Sequence, residues 1–214
     1  MSDHTRPYNT PYTNDYLNRI AFPMGGMGAG MICLEGTGAF SHVSIRWHMD
    51  FYNEPEMYAA VHIKGKSDAS KVLEGPVPEW KYFGPAGTGN GGRNTVYGLP
   101  RCGGATFDTR FPFATVDLQD DDIPLKMQIT GWSPFIPGDS DASSLPVAGV
   151  EYRFENPSDT AIDAVYSFHA ANFMSTGTDG QAVRATRNGF VLWQPGDDEK
   201  PWDQGAFSAV VDDP

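Results

Sequence analysis

The chain has 214 residues, with 15 Lys and Arg against 27 Asp and Glu, so its formal charge is −12. Phosphate contacts need clustered cations, so this balance excludes a nucleic-acid partner and disfavours docking on an anionic membrane surface. It fits a solvated protein that meets neutral partners such as sugars, and the 40% hydrophobic content is enough for a packed core rather than disorder.

With 24 Gly and 17 Pro, the composition favours many short strands joined by tight turns. The opening Met1-Ser2-Asp3-His4-Thr5-Arg6-Pro7 lacks the basic and then apolar blocks of a signal peptide. The longest uncharged run, Ile20 to Leu34, is too short for a membrane span. Two cysteines, Cys33 and Cys102, make no disulfide framework. A cytoplasmic protein is the expectation.

In chain order, residues 1–19 are polar and read as an extended N-terminal arm, and residues 20–214 as the domain proper. Apolar runs between turn signals predict strands over 28–34, 40–46, 57–63, 114–118, 124–132, 147–155, 161–170, 182–187, 189–194 and 205–211. The clearest, Leu125-Lys126-Met127-Gln128-Ile129-Thr130, alternates apolar and polar residues as a half-buried antiparallel strand requires. Asn188-Gly189 predicts a tight hairpin, because both residues tolerate positive φ. Helical periodicity is nowhere sustained for three turns. The fold class is all-β: an antiparallel two-sheet β-sandwich with a polar arm and a long Gly-rich loop over 84–104, read either as a surface excursion or as a functional lid or interdomain loop. The last strand stands three residues before Pro214, which predicts a fragment truncated before the rest of the sandwich.

Several motifs dissolve on inspection. Ala60 to Ser67 looks like a loosened phosphate loop, but the preceding run is apolar and β-like and no helix follows, so a hairpin turn at Lys64 to Asp68 is the better reading. Gly25, Gly26, Gly28 and Gly30 do not spell a dinucleotide fingerprint. They predict a backbone that turns sharply and packs closely or approaches a ligand. The five histidines and two cysteines show no metal-ligand spacing, and Asp139 to Ser143 reads as an acidic turn rather than a calcium loop, so neither metal nor cofactor is expected. Glycoside hydrolysis needs two carboxylates flanking one bond, and Glu54 is the most suggestive acid, beside Asn53 and downstream of Arg46, Trp47 and His48. Aromatic faces stack on sugar rings, and Arg, Asn and Glu bond hydroxyls. This cluster either lines a substrate cleft or is a strand end with core aromatics and one surface ion pair.

Several stretches together resemble one family. Ile20-Ala21-Phe22-Pro23-Met24-Gly25-Gly26-Met27-Gly28-Ala29-Gly30, then Arg110-Phe111-Pro112-Phe113-Ala114-Thr115-Val116, then Ile123-Pro124-Leu125 with Trp132-Ser133-Pro134-Phe135-Ile136-Pro137, then Ser143-Ser144-Leu145-Pro146-Val147 and Asn156-Pro157 occur in the order seen in the N-terminal domain of the bile-acid β-glucosidase or non-lysosomal glucosylceramidase family, glycoside hydrolase family 116. Arg46-Trp47-His48 with Asn53-Glu54-Pro55 looks closer to a bacterial branch. The resemblance implies an N-terminal β-sandwich packed on a C-terminal (α/α)6 catalytic barrel, in retaining enzymes that act on β-glucosides or β-xylosides. The family's nucleophile and acid/base lie in the barrel, so no catalytic residue is carried onto this chain and Glu54 is not the nucleophile. The leading expectation is therefore a non-catalytic domain that supports the barrel and lines the substrate cleft. The alternative is a stand-alone carbohydrate-binding sandwich without hydrolytic activity.

Overall fold

The structure, a computed structural model, describes residues 6–51, 53–82, 95–177 and 179–212. Fourteen strands occur among them: β1 (Tyr12–Thr13), β2 (Ala21–Met24), β3 (Met31–Glu35), β4 (Phe40–Ser44), β5 (Met57–Ile63), β6 (Ser70–Val72), β7 (Gly104–Arg110), β8 (Phe113–Gln119), β9 (Lys126–Trp132), β10 (Gly149–Glu155), β11 (Ala164–Ala170), β12 (Ala182–Thr186), β13 (Gly189–Gln194) and β14 (Gly205–Val210). Helix is confined to single turns, including α1 (Glu79–Tyr82) and α2 (Ser140–Ser143). Every strand pairing is antiparallel, in a five-stranded sheet β1-β7-β8-β9-β10 and three three-stranded sheets, β2-β3-β4, β11-β5-β6 and β12-β13-β14. The all-β sandwich read from the sequence is the observed class.

Alternation decides which face is buried. In β8 the odd positions face out and Ala114, Val116 and Leu118 face in, and in β9 Met127 and Ile129 do the same. Those side chains share one core cluster with Phe22, Met24, Leu34 and Phe40 from β2-β3-β4 and with Met57, Ala59, Val61 and Ile63 from β5. The five-stranded sheet is thus one layer, and β2-β3-β4 with β11-β5-β6 covers its inner face. Aromatic pairs continue the packing outward: Tyr152 of β10 meets Tyr166 of β11 at 5.3 Å, and Phe168 of β11 meets Phe190 of β13 at 6.3 Å.

Departures from the expected strands have local causes. The strand expected over 28–34 starts only at Met31, because Gly28 and Gly30 hold φ of +74° and +94°. The strand expected over 40–46 ends at Ser44, ahead of Arg46 and Trp47 at φ +54° and +58°. Four strands were not foreseen. β1 lies within the polar arm, where two residues join the edge of the five-stranded sheet beside Phe107 and Thr106. β2 contains Pro23, which an edge strand tolerates. β6 is three residues long, and β7 starts where the Gly-rich loop was drawn. The loop itself falls outside the described residues over 84–94. The hairpin at 187–188 forms as expected, but with Thr186 opposite Gly189 the loop residues are Arg187 and Asn188. Gly189 is required there by proximity, since a Cβ would lie 1.9 Å from the Ala209 carbonyl oxygen.

Leu34 is fully buried where the two layers meet. Leu34→Ala is expected to lower unfolding free energy by about 2–5 kcal/mol, read from urea denaturation at unchanged m-value.

Candidate functional site

The loop 45–56 joins β4 to β5 and carries all five residues singled out from the sequence. Its backbone is unusual: Arg46 and Trp47 are consecutive left-handed residues, and Glu56 follows at φ +46°. Such conformations cost about 1–3 kcal/mol each and persist only where the surroundings fix them. Two fixings are visible. The Asn53 side-chain amide takes the place of a neighbouring strand, with Val43 N–H donating to Oδ1 at 2.7 Å and Nδ2 donating to the Val43 carbonyl at 2.9 Å. The Ser44 hydroxyl donates to the Asp50 carbonyl at 3.2 Å and accepts from the Asp50 N–H at 3.1 Å. Arg46 then reaches across to the opposite side, donating from Nη2 to the Met174 carbonyl at 2.8 Å. Its Nε is buried with no partner among the described residues. Trp47 and His48 are exposed, Trp47 completely.

Glu54 points into the protein. Lys81 of α1 donates to its Oε1 at 2.5 Å, and the Tyr97 hydroxyl, from the helical turn Thr95–Gly98, donates to its Oε2 at 2.6 Å. The same Lys81 ammonium donates to both oxygens of Glu35, at the end of β3, at 2.8 and 2.7 Å. Beside them Arg101 pairs with Glu74 at 2.9 Å and donates from Nη1 to the Val96, Tyr97 and Leu99 carbonyls, which forms the 95–98 turn around it. Three carboxylates and two cations thus face one another away from water. Burial lowers the tendency of Lys81 to hold its proton, but Glu35 and Glu54 outweigh it and raise its pKa above the ordinary 10.5. Burial raises Glu74, only partly offset by Arg101, and burial with the bond to Glu54 raises Tyr97.

Two cavities flank Glu54. The first lies among Glu35, Glu54, Glu74, Lys81, Tyr97 and Arg101 and has about 20 Å³. That is room for roughly one water, not a sugar. Glu35 and Glu54 converge as two glycosidase carboxylates would, yet a lysine ammonium occupies the space between them. The second cavity, about 220 Å³, opens on the other side of Glu54 and is lined by Val43, Ile45, Arg46, His48, Asp50, Asn53, Glu54, Pro55 and Phe173. Four of the five sequence-selected residues border this one depression, and Trp47 stands in the same loop. Lys81, Tyr97, Arg101, Glu35 and Glu74 were not singled out. Only Glu35 left a signal, as a charge ending the apolar run Met31-Ile32-Cys33-Leu34.

The glycine segment occupies a different place. Gly25 N–H donates to the Ser133 hydroxyl at 3.1 Å and Met27 N–H to the Ser143 carbonyl at 2.8 Å. At Gly26 a Cβ would lie 2.2 Å from the Leu145 carbonyl oxygen, so the turn is pressed against the 143–145 backbone. Gly28 has open space around it, and a Cβ on Gly30 would meet the Ser44 carbonyl oxygen at 2.6 Å. The acidic turn at 139 is a capped one: Asp139 Oδ1 accepts from Ala142 N–H at 2.9 Å. Among the described residues no group of three or more His, Cys, Asp or Glu is placed to hold a metal ion, and no helix is long and apolar enough to cross a membrane. Burial, then Glu35, pushes the Cys33 thiol up to about 11, and burial, then Asp120, pushes Cys102 up to about 12, so neither is a thiolate at neutral pH.

Lys81→Met leaves Glu35 and Glu54 facing each other without their cation. Stability is expected to fall by about 3–5 kcal/mol in denaturant titrations at pH 7. Because the folded pKa of Lys81 is raised, its contribution is complete at neutral pH and is lost as pH rises beyond 10.5. The gap between wild type and variant should therefore narrow as pH rises through that alkaline range.

No curated protein matches the chain. The family model described as beta-glucosidase 2, glycosyl-hydrolase family 116 N-term, matches residues 21–203, which include every strand from β2 to β13 and the whole 45–56 loop. The chain belongs to glycoside hydrolase family 116 and carries its N-terminal domain.

Proposed function

We propose that this sandwich is the non-catalytic N-terminal domain of a retaining β-glucosidase-like or glucosylceramidase-like enzyme, acting on β-glucosides or β-xylosides, and that it packs on a C-terminal (α/α)6 barrel while its 45–56 loop stands at the rim of the substrate cleft. In this role Trp47 and His48 face the substrate side. Asn53 and Glu54 hold the loop in shape behind them, and Arg46 joins the two groups. Small displacements of a bound substrate reduce rate, so a rigid rim matters without doing chemistry.

One observation carries the packing half of the proposal. The outer face of β8-β9 changes character along its length. At one end Lys126, Gln128, Asp117 and Gln119 face water, with Gln128 donating to Asp117 at 2.7 Å. At the other end Phe113 stands opposite Trp132, both exposed, beside exposed Phe111, Phe135 and Ile136, with the Phe111 and Phe135 rings 5.0 Å apart. An apolar patch of this kind with a polar border marks an interaction surface. A cytoplasmic location is part of the same proposal and rests on the two buried, unpaired thiols.

An antibody against this domain should detect a native protein several times heavier than 23.4 kDa. In that protein, Phe113→Glu is expected to lower kcat/KM for an aryl β-glucoside by about tenfold or more, about 1.4 kcal/mol, while the 214-residue chain carrying it unfolds at the wild-type midpoint. A native band near 23.4 kDa would contradict the proposal and favour a free binding module. Unchanged kinetics would contradict the packing surface.

A further inference from the structure

We propose that β10 is a self-association edge: two copies of this chain pair their β10 strands antiparallel about a two-fold axis at Tyr152, joining two five-stranded sheets into one. Among the described residues β10 closes its sheet, paired to β9 on one side only, residue for residue from Gly149 to Glu155. Folded proteins protect such edges with proline, bulges, inward charges or very short strands. β10 has none of these: it is seven residues long, its register is unbroken, and its charges lie on the outer face. Its inward side chains Val150, Tyr152 and Phe154 are only half-buried. Tyr166 of β11, 37% exposed, lies 5.3 Å from the Tyr152 ring and 6.2 Å from that of Phe154. An apolar seam therefore runs beside the free edge.

Charge selects both the occupant and the register. The outer face carries Glu151, Arg153 and Glu155 at alternate positions. Lys126 neutralises Glu155 at 2.7 Å, whereas Glu151 and Arg153 form no ion pair among the described residues. With Tyr152 opposite its own copy, all seven residues of the strand find a partner. Glu151 of each copy then faces Arg153 of the other, and Val150 faces Phe154 over the seam. Moving the axis to Arg153 would set Arg153 against itself and Glu151 against Glu155, and like charges directly opposite are destabilising. The strand is complementary to itself in the one register that pairs its full length, which is what an isologous two-fold interface requires. The inference stands apart from the domain's proposed role, since no carbohydrate or catalytic partner enters it.

The test is sedimentation velocity of the 214-residue chain from about 1 to 200 μM, at about 0.15 M salt so that the charge of −12 on each copy is screened beyond about 8 Å. The mass is expected to rise with concentration from 23.4 kDa to twice that value. Arg153→Glu and Glu151→Arg each set like charges across the axis and should each weaken self-association about tenfold or more. Mixed in equal amounts, the two variants present a pair of glutamates against a pair of arginines, and the dimer should return at wild-type affinity. Recovery on mixing also shows that both variants are folded. A wild-type chain that stays monomeric throughout would overturn the proposal and leave the edge to a different strand. Self-association of either variant at wild-type strength, or no dimer in the mixture, would overturn it equally.

Discussion

The Lys81 ammonium lies between Glu35 and Glu54, and three parts of the chain with no other reason to meet are joined through it: the end of β3, the loop leading into β5 and the turn α1. Tyr97 adds a fourth segment by donating to the far oxygen of Glu54, and Arg101 with Glu74 adds a fifth. Removing charges from water is expensive, and this arrangement is held by close donors to both oxygens of Glu35, both of Glu54 and one of Glu74. The core strands would collapse on apolar alternation alone. Where the loops between them lie depends on this ionic cluster.

Consequences for the site follow from geometry. Glu54 forms a wall with the ionic cluster on one side and the open depression on the other. The carboxylate most suggestive of glycosidase chemistry is thereby fixed by a lysine and a tyrosine, while Arg46, His48 and the half-exposed Asp50 also border the larger cavity. The same loop is locked from behind by Asn53 on Val43, so its two consecutive left-handed residues present Trp47 outward in a fixed direction.

Much of the fold was legible because period-two alternation survives in β5, β8, β9 and β10, and because turn residues bracket them. What alternation could not show was short edge strands, whose pairing is decided by the neighbour: β1 exists because Phe107 and Thr106 offer an open edge. The loop 45–56 was legible as a cluster, since its residue types are unusual side by side. Which of its members face inward was not, because the partners that turn Glu54 inward, Lys81 and Tyr97, lie 27 and 43 residues away. The glycine segment was legible as a close-packed turn, but its partners at 133 and 143–145 follow β9, over 100 residues along the chain.

The central claim, that Glu54 is an anchor coupled to Lys81 and not a free acid, is tested most directly by a double-mutant cycle of Lys81→Met and Glu54→Gln, measured by denaturant unfolding. The account predicts strong non-additivity, with a coupling of about 1–3 kcal/mol, because each substitution removes the group that the other loses. Additivity within about 0.5 kcal/mol would contradict it.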